Sequence, residues 1–386
     1  MGKSFLFIAI REPKKDGKGD QIILYQRIKA VLEDSNSVFL CTLSNSGKKR
    51  FEESDLRHQI TVLNVGSYNL ITALRSIIFS FKLPFQVSFY YNKKIHENIQ
   101  KKIIDYEIDF THNILIRTSK YHFPSSNQTI DLIDSMTLNF KRRLIDSNFF
   151  LNKIFKSEVK RLEIYEKKIP QLFEKCFLVS EIDNQFLNDK AIIIPVGVSI
   201  PKRIQVKNFN HKKTIIGFTG NMSYSPNIEA VNWFIDNVWS VFFSNDKKIE
   251  FRVIGRNPSN SLILKSKKYI NVKIIGEVPN VYDYIYNNID ICVAPMKSGS
   301  GMQFKVVEGM INEAVVLLSS LAVGDIDIDH NIDCIICDTP KSYYESIINL
   351  IKDDKFRNKL ILNAKKNMIN NYSWKSIKLK FIQHFK

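Results

Sequence analysis

Ala294-Pro-Met-Lys-Ser-Gly-Ser-Gly-Met-Gln-Phe-Lys-Val-Val-Glu-Gly-Met310 is the stretch that decides the fold. The apolar run Ile289–Ala294 leads into it and stops at Pro295, as a buried strand would. A Ser/Gly-rich turn follows, and a helix is expected from near Gly301. Strand, glycine turn and helix N-terminus together make an anion site. Backbone N–H groups there lack helical partners, and glycine lets a ligand approach closely. Lys305 is expected one helical turn in, where it adds a positive charge. Glu308 lies three residues further on the same helix face. Its carboxylate has the acceptors to take two hydrogen bonds from a vicinal diol such as a ribose.

Outward from this stretch the same alternation repeats. Strands are expected at Ser4–Ile10, Val38–Leu43, Gln59–Leu63, Asn113–Arg117, Gln128–Leu132, Lys175–Val179 and Ala191–Pro195. Between them lie helical patterns at Gln21–Glu33, Leu70–Phe81, Lys93–Ile103 and Phe155–Phe173. Strands alternating with helices argue for parallel βαβ units. The segment Gly197–Lys213 is basic, has little apolar periodicity and reads as a linker. A second series follows, with strands at Thr214–Thr219, Glu250–Ile254, Val272–Ile275, Ile289–Ala294, Val315–Ser319 and Cys334–Cys337. Ser225 and Pro226 open a helix over Pro226–Phe242, with Ser225 as the expected cap.

Composition bounds the function. The 386 residues suit two or three domains. With 44% hydrophobic and 12% aromatic residues, disorder is excluded as the main state. Five cysteines do not make a disulfide framework. Lys and Arg number 56 against 39 Asp and Glu, a net +17 that suits anionic partners. Nucleic acid is not expected among them, because aromatics are not interleaved with the basic residues as a stacking platform requires. The apolar run Phe5–Ile10 is too short for a signal peptide, and no stretch reaches the roughly 18 apolar residues of a membrane span. A cytoplasmic protein with free thiols is expected.

The stretch 294–310 resembles the donor-binding signature of family 4 glycosyltransferases, closest to the bacterial surface-polysaccharide branch with the pattern G-S-G-x-x-x-K-x-x-E. Other matches follow in family order. Gly217-Phe-Thr-Gly220-Asn-Met-Ser-Tyr-Ser-Pro-Asn227 is similar to the opening strand and turn of the second domain. Phe251-Arg-Val-Ile-Gly255-Arg-Asn-Pro258, Gly276-Glu-Val-Pro-Asn280 and Asn371-Tyr-Ser-Trp374 resemble its next strand, its base-side loop and the closing helix. Weaker matches in the first half are Lys18-Gly-Asp20, Asp131-Leu-Ile-Asp134-Ser135, Val179-Ser-Glu181 and Pro195-Val-Gly-Val198.

The resemblance implies an α/β protein of the GT-B fold, two Rossmann-like domains facing across a cleft. Residues 1–200 would form the acceptor side and 201–370 the nucleotide-sugar side. Residues 371–386 would form a helix returning to the first domain. It implies a retaining glycosyltransferase, of hexosyltransferase type, in capsule or exopolysaccharide synthesis. The sugar would pass from a nucleotide diphosphate to a saccharide or lipid-diphosphate-linked acceptor. Gly220, Asn221, Ser298, Gly299, Ser300, Gly301 and Lys305 would surround the pyrophosphate, Glu308 would hold the ribose, and Arg256 and Val278 would flank the base. Lys305 and Glu308 are the implied catalytic residues, with no metal or other cofactor required. Gly19, Asp20 and Arg117 would stand on the acceptor side.

The chain departs from the wider family in three respects. Ser300 replaces a frequent Glu, a loss the G-S-G branch shares. Asn221-Met-Ser-Tyr replaces the usual Arg and Lys. Glu313 and Val315 replace a Gly and a Pro. A non-glycine residue at 313 is costly if that backbone needs positive φ. These departures also suit a non-catalytic nucleotide- or glycan-binding module of the same fold. The basic clusters Lys93-Lys94, Lys101-Lys102 and Lys141-Arg-Arg143 read as solvated helix faces, or as contacts to an anionic surface at the inner face of the plasma membrane. Cys334-Ile-Ile-Cys337 and Asp325–His330 read as packing thiols and a solvated loop rather than metal sites. His112 precedes Arg117 and reads as a surface or packing residue, the alternative being the functional His that some relatives of the resembled family carry there.

Overall fold

The computed structural model describes residues 2–34, 36–43, 56–66, 83–124, 127–145, 149–201, 213–299 and 302–385, with backbone alone in the helical parts of 142–155. The chain divides into two compact units, Met1–Gly197 with Trp374–Lys386, and Val198–Ser373.

In the first unit the strands are β1 (Ser4–Ala9), β2 (Ser37–Thr42), β3 (Thr61–Val62), β4 (Phe110–Ile114), β5 (Asn127–Ile133), β6 (Lys175–Leu178) and β7 (Ile192–Ile193). They form one parallel sheet in the order β3-β2-β1-β4-β5-β6-β7. The second unit holds β8 (Thr214–Thr219), β9 (Ile249–Ile254), β10 (Val272–Gly276), β11 (Ile291–Ala294), β12 (Val315–Leu318) and β13 (Ile335–Ile336). These are parallel in the order β10-β9-β8-β11-β12-β13. Strands such as Ile-Cys-Val-Ala at β11 and Val-Val-Leu-Leu at β12 are buried throughout, because helices cover both faces of a parallel sheet. Among the described residues no helix is long and apolar enough to cross a membrane.

Several expected elements shift. The strand expected over Asn113–Arg117 is Phe110–Ile114; Leu115 follows at a φ of 71°, which a ladder does not accommodate, and Ile116–Thr118 turn as a short 3-10 helix. The helix expected over Pro226–Phe242 runs as α-helix over Ser225–Phe234 and as π-helix over Ile235–Phe243. Tyr224, not Ser225, is its N-cap, and it makes no side-chain cap; Pro226 sits in the first turn, where its missing N–H costs nothing. The strand at Cys334–Cys337 is reduced to its two central isoleucines. Both thiols are buried, and burial pushes that of Cys334 up to about 12. The expected helix Leu70–Phe81 and most of the linker lie outside the described residues.

The closing helix Trp374–Ile382 belongs to the first unit, where Ile377, Phe381 and Phe385 pack with Phe5, Phe7, Leu24 and Ile28. Beneath it lies a buried ion pair. Arg27, on the helix Gly19–Glu33, places Nη2 and Nε each 2.9 Å from Asp131 Oδ2, with side chains 3% and 0% exposed. The Arg27 guanidinium also stacks 4.6 Å from the Phe381 ring centre. His112 belongs to this core rather than to an open site. Its Nδ1 lies 2.7 Å from Thr129 Oγ1, its ring packs against Phe7 and Phe381, and burial holds its pKa well below the ordinary range.

Glu313 occupies a backbone position that suits glycine. The helix Phe304–Ile311 ends in paired bonds, Ala314 N–H to Gly309 O at 3.0 Å and Glu313 N–H to Met310 O at 3.4 Å. That is a Schellman ending, which needs a left-handed residue. Glu313 supplies it at a φ of 58°. Its buried carboxylate receives Lys365 Nζ at 2.6 Å, which offsets the strain. Glu313→Gly relieves the strain and loses the ion pair, whereas Glu313→Ala keeps the strain and loses the pair. The glycine variant is therefore expected to be more stable than the alanine variant by about 1 kcal/mol in urea unfolding. Equal midpoints would show that φ at this position is immaterial.

Candidate functional site

In the second sheet the chain leaves β8 for β9 and β10 on one side, then returns to β11 on the other. The carboxyl ends of β8 and β11 therefore flank a topological switch point, where ligands of open α/β sheets bind. The loop after β8 begins at Gly220, whose N–H donates to Ile254 O at 3.0 Å. Gly255, at a φ of 143°, must be glycine: a Cβ there would collide with the Gly220 carbonyl oxygen. Asn221 knits the same two loops. Its Oδ1 accepts from Ser223 N at 3.0 Å and Asn257 Nδ2 at 3.4 Å, and its carbonyl accepts from Asn227 Nδ2 at 2.9 Å. Arg256 is exposed in the loop after β9, and its carbonyl accepts the Met222 N–H at 2.9 Å. Val278, after β10, rests partly buried on the core beside the helix Val281–Asn288.

The loop after β11 is anchored at its base. Ser319 at the end of β12 donates its N–H to Ala294 O at 3.1 Å and its hydroxyl to Met296 O at 2.8 Å. Ser298 donates its hydroxyl to Glu229, and Gly299 takes a φ of 110°. Ser300 and Gly301 lie outside the described residues. The helix begins at Phe304, three residues later than expected, because the backbone stays extended through its N-cap, Gln303. Lys305 is thus in the first turn rather than one turn in. Its Nζ donates to Gln303 Oε1 at 2.8 Å and lies 5.5 Å from the Phe218 ring centre.

Lys305 and Glu308 shape each other's charge. Burial holds the Lys305 ammonium down to about 8, and the Glu308 carboxylate works against that shift. Burial pushes Glu308 up to about 7, opposed by Lys305 and by a hydrogen bond from the Thr219 side chain. Burial first, and the Glu308 charge second, push Tyr282, on the helix Val281–Asn288, up to about 12. Thr219, Tyr282 and Gln303 thus belong to the site although the motif does not name them. Thr219 was recoverable as the polar residue that closes an apolar strand; the other two needed coordinates. The arrangement offers a cation, a carboxylate and a helix N-terminus at one sheet edge. That set suits an anion joined to a polyhydroxyl group.

In the first unit the sheet reverses between β1 and β4. Asp20, in the first turn after β1, accepts from Arg11 Nη1 at 3.1 Å. Gly19 opens that helix with open space where a Cβ would sit. Arg117 follows β4, outside the strand, with Nε donating to Gln86 Oε1 at 2.7 Å. The three therefore stand at the carboxyl ends of two neighbouring strands. Of the basic clusters, Lys141 pairs with Glu163 at 2.9 Å, and the Arg142 and Arg143 side chains lie outside the described residues.

No protein-family model matches the chain. An uncharacterized 44.6 kDa protein in the cps region of Klebsiella pneumoniae is 22% identical over 306 residues, 76% of this chain and 77% of that protein. Among solved structures, sucrose-phosphate synthase from Thermosynechococcus elongatus superposes with a TM-score of 0.65 at 13% identity, over 99% of this chain and 98% of its own. HepE from Anabaena, solved in complex with UDP, superposes at 0.62 with 10% identity over 99% of both chains. The two parallel-sheet units form the GT-B fold.

Proposed function

We propose that this chain is a glycosyltransferase of family 4 type. It takes a sugar from a nucleoside diphosphate and passes it, with retained configuration and without a metal, to a saccharide or lipid-diphosphate-linked acceptor. The observation that carries this reading is that Lys305 and Glu308 stand on the same short helix, Phe304–Ile311, beside the β8/β11 switch point. Lys305 and the N-terminus of the helix Phe304–Ile311 would stabilise charge as it develops on the leaving diphosphate. Glu308 would accept from a ribose diol, beside the Thr219 side chain that donates to it. Gly220, Asn221, Ser298 and Gly299, with Ser300 and Gly301, would line the diphosphate. Arg256, Val278 and Tyr282 would border the base. Gly19, Asp20 and Arg117 would serve the acceptor. HepE was also solved with UDP-glucose, which supports a uridine donor as the first probe. The cps-region relative supports a role in capsule synthesis; a place at the inner face of the plasma membrane would go with a lipid-linked acceptor.

A thermal-shift panel of nucleoside diphosphates and their sugars tests the reading. A ligand at 100 times its dissociation constant stabilises by about 2.7 kcal/mol. The pH dependence carries a further expectation. Below about 7 Glu308 takes a proton and loses acceptor capacity. Above about 8 Lys305 loses its charge. Affinity for a diphosphate is therefore expected to peak between these limits and to fall on both sides. A flat profile from pH 6 to 9 would remove the pair from the site. Binding without turnover on any acceptor would favour the non-catalytic module, which the engagement of Asn221 with Ser223 and Asn257 also suits.

A further inference from the structure

We propose that Glu229 and Trp233 are positioning residues that hold Lys297–Gly299, the described part of the Ser/Gly-rich loop, in a ligand-ready form, an inference that rests on this stretch receiving a diphosphate. The two lie one turn apart on the helix Ser225–Phe234 and meet consecutive loop residues. Ser298 donates its hydroxyl to Glu229, and Lys297 sets its ammonium 3.8 Å over the Trp233 ring centre. Further toward the helix N-terminus, Pro226 Cβ stands 3.5 Å from where a Cβ of Gly299 would be. Residues 297, 298 and 299 thus run antiparallel along one helix face, over 233, 229 and 226.

Tryptophan is the strongest ring partner for an ammonium, and a carboxylate is a strong acceptor for a hydroxyl. A Ser/Gly loop would otherwise have to be ordered when ligand arrives, and that ordering subtracts from affinity. The clasp orders Lys297–Gly299 in advance. It does so with a carboxylate close to a site for anions, which is electrostatically adverse. The acceptor and the charge of Glu229 therefore act in opposite directions, and substitution separates them.

Isothermal titration with UDP, alongside apo melting temperatures, makes the test. Glu229→Ala loses the acceptor and is expected to bind UDP about tenfold more weakly, with an unchanged apo melting temperature. Glu229→Gln keeps an acceptor and drops the charge, so it is expected to bind at least as tightly as wild type. Trp233→Leu is expected to weaken binding, and Trp233→Phe to recover most of it. Wild-type affinity in Glu229→Ala, or a Gln variant as weak as the Ala variant, would overturn the clasp and leave the proposed function standing. If wild type binds neither UDP nor any other nucleoside diphosphate, the proposed function fails and the clasp falls with it.

Discussion

Lys305→Met is expected to lower sugar-transfer turnover by about 10²–10³-fold, the loss that follows removal of one preorganised group facing developing charge. Affinity for the nucleoside diphosphate is expected to fall about 10- to 100-fold. Stability should move the other way. Burial disfavours the charged form of Lys305, so an apolar chain of similar shape relieves that cost, and the variant should melt at or above the wild-type temperature. Glu308 should respond as well, because it loses the cation that opposes its upward shift. Calorimetry and turnover on the same preparation read both effects. A variant that melts lower and keeps its affinity would mark Lys305 as a packing residue.

The second large effect is structural. Arg27→Met is expected to destabilise the first unit by about 3–5 kcal/mol, because it strands the Asp131 carboxylate in a core without its partner. Burial already pushes Asp131 upward, and the guanidinium is what opposes that shift. In the variant Asp131 should hold its proton to higher pH in the folded than in the unfolded chain. Stability then falls as pH rises through the window between the two values. Replacing both partners, Arg27→Met with Asp131→Leu, should recover much of the loss. Urea unfolding at two pH values tests this, and a single variant as stable as wild type would show that water reaches the pair.

Much of the architecture was legible because parallel strands write themselves as short apolar runs. Phe5–Ile8 and Val315–Leu318 have no other stable place than between helix layers. Where the reading slipped, backbone torsion decided against composition. Leu115 ends β4 with a positive φ that its side chain does not advertise, which moved Arg117 off the strand. Gln303 stays extended and delays the site helix although glycines precede it. The motif names Lys305 and Glu308, which lie close in sequence. It did not identify Thr219 or Glu229, whose partnerships span 89 and 69 residues and exist only after two βα units stack. Glu313 was legible for the opposite reason: a missing glycine marks where the backbone needs one.

The chain passes between its units twice, at Gly197–Val198 and at Ser373–Trp374, and these crossings lie side by side. Val198 donates its N–H to Tyr372 O at 2.8 Å, and a Cβ on Gly197 would strike the Trp374 indole. The consequence concerns the order of synthesis. Every residue of the second unit leaves the ribosome before the helix that completes the first. Until then the nascent first unit lacks Ile377, Phe381 and Phe385 over its apolar face and over Arg27. A message truncated near codon 373 would yield a whole second unit on a first unit with an uncovered core, the kind of surface that chaperones and proteases recognise. The closing helix therefore covers the first unit only after the whole second unit has been made.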